Sequence, residues 1–430
     1  MIVNNHPAQS ILTKGSSMSS SAIHPHKVLD LVIAGGAYVG LSLAVAIKQA
    51  VPSLKIAVID AAPKDSWKTD PRASAIAAAA IRMLRQLQCW DEIEPLSQPI
   101  NDMIITDSRN SDPVRPVFLT FDGDVAPGEP FAYMVENKYL NASLHRRAEE
   151  LEIPVLEALS VNNFTNNGNE MHIELSNGET LQARLLVAAD GVRSKLRDIA
   201  DIKTIYWPYG QMGIVCTVEH ERPHNGRAEE HFLPAGPFAI LPLKGNRSSL
   251  VWNERNKDAE RLMAADDIVF ESELEARFGH HLGALKVVGE KRAFPFGLTL
   301  ARSFVKPRFA LAGDAAHGIH PISGQGLNLG FRDVAALAQI IVETARLGLD
   351  IGSIVGLERY QAWRRFETVR MGITTDVLNR LFSNDISPIR LLRDVGLGLV
   401  ERMPKMKNYF IQEAAGITDG SPKLLLGEAL

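Results

Sequence analysis

The amino-acid sequence predicts an α/β fold: a Rossmann-like nucleotide-binding domain with an inserted, mainly antiparallel β-sheet domain and a C-terminal helical segment. Three features predict it. Between Val28 and Asp60 an apolar strand, a glycine-rich turn, a helix, a second apolar strand and an acid follow one another, the order of a βαβ dinucleotide unit. Two central blocks break instead into short alternating segments separated by Pro, Gly and Asn. Beyond Gly326 the chain turns helical, with amphipathic stretches at 326–347 and 356–382.

Taken in order, residues 1–27 contain no acid, no arginine and two lysines, and read as a disordered leader, with a start near Met18 or a transit peptide as alternatives. Val28 to Ala34 is apolar except for Asp30, as a strand covered on both faces requires. Tyr38 to Ala50 is the helix, and Leu54 to Ile59 the second strand. The uncharged run Leu31 to Ile47 falls short of a membrane span and carries glycines where a strand turns into a helix. Asn137 to Glu152 reads as a helix, and Glu170 to Leu175 and Leu181 to Ala188 as strands about the turn Asn177-Gly178. The nucleotide-binding domain is thus expected in three parts, 28–97, 131–202 and 291–345. The inserted substrate sheet is expected at 98–130 and 203–290, and a helical region at 346–430. Within the sheet, Phe232, Phe238, Ile240 and Leu241 suit either the roof of an apolar pocket or plain sheet core.

The chain has 430 residues, 46% apolar and 22% charged, with a formal net charge of -4, an ordinary globular composition long enough for a cleft between domains. The slightly acidic balance argues against nucleic-acid binding, which needs clustered Lys and Arg. Cys89 and Cys216 stand far apart without metal-ligand spacing, so they read as buried thiols of a reducing compartment, and no metal is expected.

Three motifs end strands. In the first, Gly35, Gly36, Ala37 and Gly40 form the turn, with Ala37 where the fingerprint has its second glycine; the free amides of the helix start can hold phosphate. Asp60, 20 residues after Gly40, can accept from ribose hydroxyls. The second is Ala189-Asp190-Gly191. The third runs from Gly313-Asp314 through His317, His320 and Pro321 to Gly324, Gln325, Gly326, Leu327 and Asn328, where helix-start amides suit an anionic ring edge.

In this order the motifs resemble those of the class A FAD-dependent aromatic monooxygenases, the para-hydroxybenzoate hydroxylase fold, over about residues 28 to 385. DPRASAI at 70–76, YMVEN at 133–137, FLPAGPFAILPL at 232–243, SSLVW at 248–252 and RYQAWRR at 359–365 are similar to the ubiquinone-biosynthesis hydroxylase branch. The resemblance implies FAD as cofactor, NADPH or NADH as transient reductant, and hydroxylation of a polyprenylated phenol by oxygen through a C4a-hydroperoxyflavin. It implies that Gly35, Gly36, Ala37 and Gly40 hold the pyrophosphate, Asp60 the adenosine ribose and Arg72 the phosphate-ribose region. Asp190 would lie near the pyrophosphate and Asp314 would bind the ribityl chain. Gly324 to Asn328 would line the isoalloxazine, with Pro321 and His320 at the flavin reaction region; no catalytic residue is assigned. Alternatives are a flavin-fold halogenase or reductase, or a non-catalytic scaffold of a quinone-biosynthesis complex. A cytoplasmic protein is expected, peripheral on the inner face of a bacterial membrane in one reading. Ile386 to Pro404, with Arg390, Arg393 and Arg402, suits either a membrane-surface helix or a buried docking helix.

Overall fold

The computed structural model describes residues 28–107, 116–122, 124–319, 325–382, 411–418 and 420–430. The expected leader, His320 to Gly324 and the expected helix at 386–404 lie outside the described residues.

The βαβ unit forms as its periodicity requires: β1 (Leu29–Ala34), α1 (Tyr38–Ala50) and β2 (Ile56–Ile59), with every residue of β2 buried. β1 pairs in parallel with β2 on one side and with Thr180–Ala188 on the other. The far edge of Thr180–Ala188 is shared. Its first half pairs antiparallel with Met171–Leu175, and its last residues pair in parallel with Phe309–Leu311. The register aligns Ile59, Ala34, Ala188 and Leu311 across the sheet, so all three sequence motifs leave the same carboxyl edge. That edge is where open parallel sheets bind ligands.

A second sheet of eight strands draws on both central blocks, although Gln98–Pro99 pairs instead with Ala132–Glu136 and Asp124–Ala126 with Glu129–Pro130. Asp102–Asp107 and Val117–Asp122, from the first block, extend it beyond Arg227–Leu233. Its long strands are Thr204–His220 and Leu285–Ala301; the latter crosses the boundary drawn at residue 290. The stretch read as sheet from 203 to 290 also contains two helices, Asn256–Ala264 and Asp267–Phe278. They form because Ala259 and Leu262, then Phe270, Leu274 and Phe278, recur at helical spacing and bury one stripe, and Asp266 caps the second helix by accepting from Val269 N–H. They cover the sheet face bearing Phe238, Ile240 and Trp252.

Both cysteines are buried, which pushes the Cys89 thiol up to about 11 and the Cys216 thiol up to about 12, as inert structural thiols.

One buried carboxylate fixes how the C-terminal helices meet the sheets. Asp333, on helix Gln325–Arg346, is fully buried. Its Oδ2 accepts from Gly313 N–H at 2.9 Å and from His317 Nε2 at 2.5 Å, and its Oδ1 from Arg364 Nε at 2.8 Å. Arg364 lies on helix Ile354–Phe382. His317 in turn pairs with Leu300 of the second sheet. Burial works against the Asp333 charge, but His317 and Arg364 hold its carboxyl below the usual range. Its contribution to stability is therefore complete above the ordinary carboxylate pKa and is lost as pH falls through the lower folded value. Asp333→Ala leaves Gly313 N–H, His317 Nε2 and Arg364 Nε without their acceptor, with Glu367 as the remaining partner of Arg364, and is expected to cost about 3–5 kcal/mol, read as a lower urea midpoint at pH 7. Asp333→Asn is expected to flatten the part of the acid limb that this carboxylate carries.

Candidate active site

The three turns at the carboxyl edge touch through positions that admit no side chain. Gly35 has φ +117°, and a Cβ on it would lie 2.2 Å from the Ala189 carbonyl oxygen, so the first and second turns abut there. A Cβ on Gly36 would lie 2.6 Å from the Asp60 Cβ, so glycine at this position lets the end of β2 close on the turn. A Cβ on Gly40 would meet the Gly35 carbonyl oxygen at 1.9 Å, which brings α1 down on to its own entry turn. Val39 fills the groove between the first and third turns, where Cβ atoms on Gly313 and Gly330 would approach it to 3.1 and 3.0 Å.

Arg197 ties the second turn to the third. Its side chain is buried, with Nη1 donating to the Ala315 carbonyl at 3.0 Å and Nη2 to the Val192 carbonyl at 3.1 Å. Ser194 caps the short helix carrying it by accepting from Arg197 N–H.

At the start of α1, Ala37 sits in extended backbone, φ -82° and ψ -175°, with no side chain capping the helix and no acid in its first turn. The first amides are thus left for an anion. Ala37 carries no backbone strain, and its methyl is exposed.

These turns open on a cavity of about 510 Å³. Ala37, Tyr38, Asp314 and residues 325–328 line it from the parallel-sheet side; Gly35, Gly36 and Gly40 stand behind that wall, and Asp60, Arg72 and Asp190 lie off the lining. Asp314 faces the cavity, where desolvation raises its carboxyl pKa against the opposing pull of His317 and Arg72. Burial, with the Asp314 charge, pushes the Tyr38 phenol up to about 12. Asp70 chelates Arg72, its Oδ1 accepting from Nε at 2.9 Å and its Oδ2 from Nη2 at 2.7 Å.

Helix Gln325–Arg346 presents its N-terminus to the cavity. A Cβ on Gly326 would meet nothing within 4 Å, which leaves open space beside the helix start. The Asn328 amide is engaged: Oδ1 accepts from Ala77 N–H and Nδ2 donates to the Ala75 carbonyl, both at 2.9 Å. Asn328 therefore holds strand Ala73–Ala77, which lines the cavity beside it. His320, Pro321 and Gly324 are outside the described residues.

The opposite wall belongs to the second sheet. Leu241 lines it, but Phe238 and Ile240 point the other way, into the core beneath the two inserted helices. Small side chains, Ala228, Ala239 and Val251, surround Glu230 at its centre, with Met103, Leu241 and Phe296 also lining the wall. Sequence reasoning missed Glu230, Arg197, Asp333 and Arg364. Only the consecutive acids Glu229 and Glu230 inside an alternating strand signalled any of them.

Residues 28–364 match the family described as FAD binding domain. Ubiquinone hydroxylase UbiL of Rhodospirillum rubrum is 44% identical over 94% of this chain and 94% of its own. The 3-demethoxyubiquinol 3-hydroxylase of Escherichia coli is 31% identical over 90% of this chain and 98% of its own. Among solved structures, p-nitrophenol 4-monooxygenase PnpA of Pseudomonas putida shares the fold, with a TM-score of 0.76 at 18% identity over 90% of this chain and 98% of that one. A glycine-built carboxyl edge facing a deep cavity, carried by a sequence this close to two ubiquinone-pathway hydroxylases, places the chain in the ubiquinone-biosynthesis hydroxylase family of FAD-dependent monooxygenases.

Proposed function

We propose that the protein hydroxylates the aromatic ring of a polyprenylated phenol in ubiquinone biosynthesis, consuming NADPH or NADH and oxygen. One observation carries the reading: a single cavity runs from the amides of the first turn and the 325–328 helix start to an apolar sheet wall. The residues present fit FAD, because the turn that would meet its pyrophosphate is cleared by glycines and its helix start is uncapped. When bound, FAD supplies the transfer of electrons from the nicotinamide to oxygen and of oxygen to the ring.

The protein's own part is to bind, orient and exclude water. The α1 amides at Ala37 to Gly40 would hold the pyrophosphate, with Asp190 nearby. Asp60 would take the adenosine ribose and Arg72 the phosphate-ribose region. Asp314 would take the ribityl chain, and 324–328 the isoalloxazine. Glycine at 326 leaves room for a ring to approach the helix amides. The small-residue wall opposite excludes water from the reacting ring. Alanine in place of the second fingerprint glycine, at position 37, neither strains the backbone nor fills the cleft.

No helix among the described residues is long and apolar enough to cross a membrane. A peripheral contact is supported by exposed apolar side chains. Phe366, Val369, Ile373 and Val377 form one stripe of helix Ile354–Phe382, with Phe366 79% exposed. Arg380 lies 5.0 Å from the ring of Trp207, which is exposed beside Ile205 and Tyr206. A bilayer contact here would bring the protein to the surface where a polyprenyl lipid resides.

The purified protein is expected to show flavin bands near about 375 and 450 nm, and to convert a 2-prenylphenol to a hydroxylated product with NAD(P)H and oxygen; a colourless protein that FAD cannot reconstitute sinks the reading. Gly36→Val should weaken FAD retention by about tenfold or more, whereas Ala37→Gly should leave it within about threefold, both read from flavin released on gel filtration. Trp207→Ser combined with Phe366→Ser should lower co-sedimentation with phosphatidylglycerol-containing vesicles by about threefold or more while leaving flavin content intact.

A further inference from the structure

Strand Arg227–Leu233 turns its two adjacent glutamates to opposite faces of the second sheet. Glu229 points away from the cavity and pairs with His231 at 3.1 Å and His281 at 2.8 Å. Burial opposes its charge, yet the two imidazoles hold its carboxyl down to about 2. Glu230 faces the cavity and has none of this. It is 5% exposed, and burial alone pushes its carboxyl up to about 7.

No described neighbouring element compensates it. Its register partners are Ile105 and Ala239, and the next strand presents Val251. Among the described lining residues the other titratable groups are Tyr38, at the start of α1, and Asp314, on the third turn, and none of these residues is a lysine, arginine or histidine. Asn253, on the same wall, has a buried Oδ1 that no described group meets. Buried polar groups are ordinarily paired, so an isolated carboxyl on an apolar wall points to a partner that enters with the ligand.

We propose that Glu230 is the catalytic residue that receives the ring hydroxyl of the phenolic substrate and takes its proton. This rests on the hydroxylase reading above. The carboxylate accepts the O–H proton and becomes the neutral acid, while the bonding pair stays on the phenolic oxygen and enriches the ring for attack. As the hydroxylated ring regains aromaticity, the hydrogen displaced from carbon leaves to solvent as a proton, and Glu230 returns its own to the oxygen. Isolation in an apolar wall suits this step, because a weaker carboxylic acid is a stronger base when ionised. Since the carboxylate is the active form, kcat/KM should rise with pH through about 7 and then level.

The test uses the FAD-loaded full chain with 2-geranylphenol and its O-methyl ether as probes, binding being followed by the change in flavin absorbance. The wild type should bind the phenol about tenfold or more tighter than the ether, and Glu230→Leu should erase that preference. Glu230→Gln should keep its flavin and hold the KM for the phenol within about threefold, but lose about 100-fold in kcat together with the rising pH limb. A Glu230→Gln enzyme with wild-type kcat and an unchanged pH profile overturns the proposal while leaving the hydroxylase reading intact. A wild type that takes up FAD but never hydroxylates the phenol overturns that reading, and the proposal with it. Should the variants not fold, the wild type decides alone: equal affinity for phenol and ether, with a kcat/KM flat across pH 6 to 8, removes the role of Glu230.

Discussion

The geometry of the cavity depends on the fully buried carboxylate of Asp333. Four pieces of chain converge on it: the turn after Phe309–Leu311 through Gly313 N–H, the short strand at His317, helix Gln325–Arg346 and helix Ile354–Phe382 through Arg364. An ionised carboxylate only accepts, so His317 must donate through Nε2, and three donors approach from fixed directions. A buried ion pair is a poor source of net stability against an apolar replacement, but it penalises every arrangement that leaves one charge alone. Here those excluded arrangements are the ones in which the helix start at 325 moves away from Asp314. Because His317 also pairs with the strand Leu285–Ala301, the same carboxylate locks the second sheet to the first.

Steric exclusion does at the first turn what charge does at Asp333. Gly35, Gly36 and Gly40 each answer a different neighbour: the Ala189 carbonyl, the Asp60 side chain and the turn's own backbone. The fingerprint position occupied by Ala37 answers none of them in this chain, which is why a methyl is tolerated there. Gly36, outside the fingerprint spacing, is the more constrained residue. The alignment of Ile59, Ala34, Ala188 and Leu311 then makes three local turns into one surface.

Much of this was legible in the sequence, and the boundary of legibility is physical. Strand and helix periodicity placed β1, α1 and the hairpin about Asn177-Gly178 to within a residue or two, because each element is defined by its own neighbours in sequence. The two helices at 256–278 were read as sheet, although Phe270, Leu274 and Phe278 carry a helical spacing, because the alternating strands on either side set the reading of the block. Alternation in FAILPL correctly implied two faces but not which face meets the cavity, so Phe238 and Ile240 went to the core and Leu241 to the wall. Asn328 lies at the cavity as its motif suggested, but its amide hydrogen bonds go to the Ala75–Ala77 backbone, a partner some 250 residues away that no local pattern records. The partners of Asp333 and the isolation of Glu230 are likewise properties of the assembled chain.

The two faces of the second sheet show how its central strands keep small residues toward the cavity. Each strand alternates, so the neighbouring strands that send Phe238 and Trp252 into the helix-covered face send their alternate residues toward the cavity. If those were also large, the space opposite the turns would be filled; Ala228, Ala239 and Val251 keep it open while staying apolar. An apolar wall lowers the local dielectric and strengthens the helix-start amides and Asp314 across from it. It also raises the cost of any charge set into it, which is why Glu230, the one acid among the described residues of that wall, is a weaker acid than an exposed carboxyl.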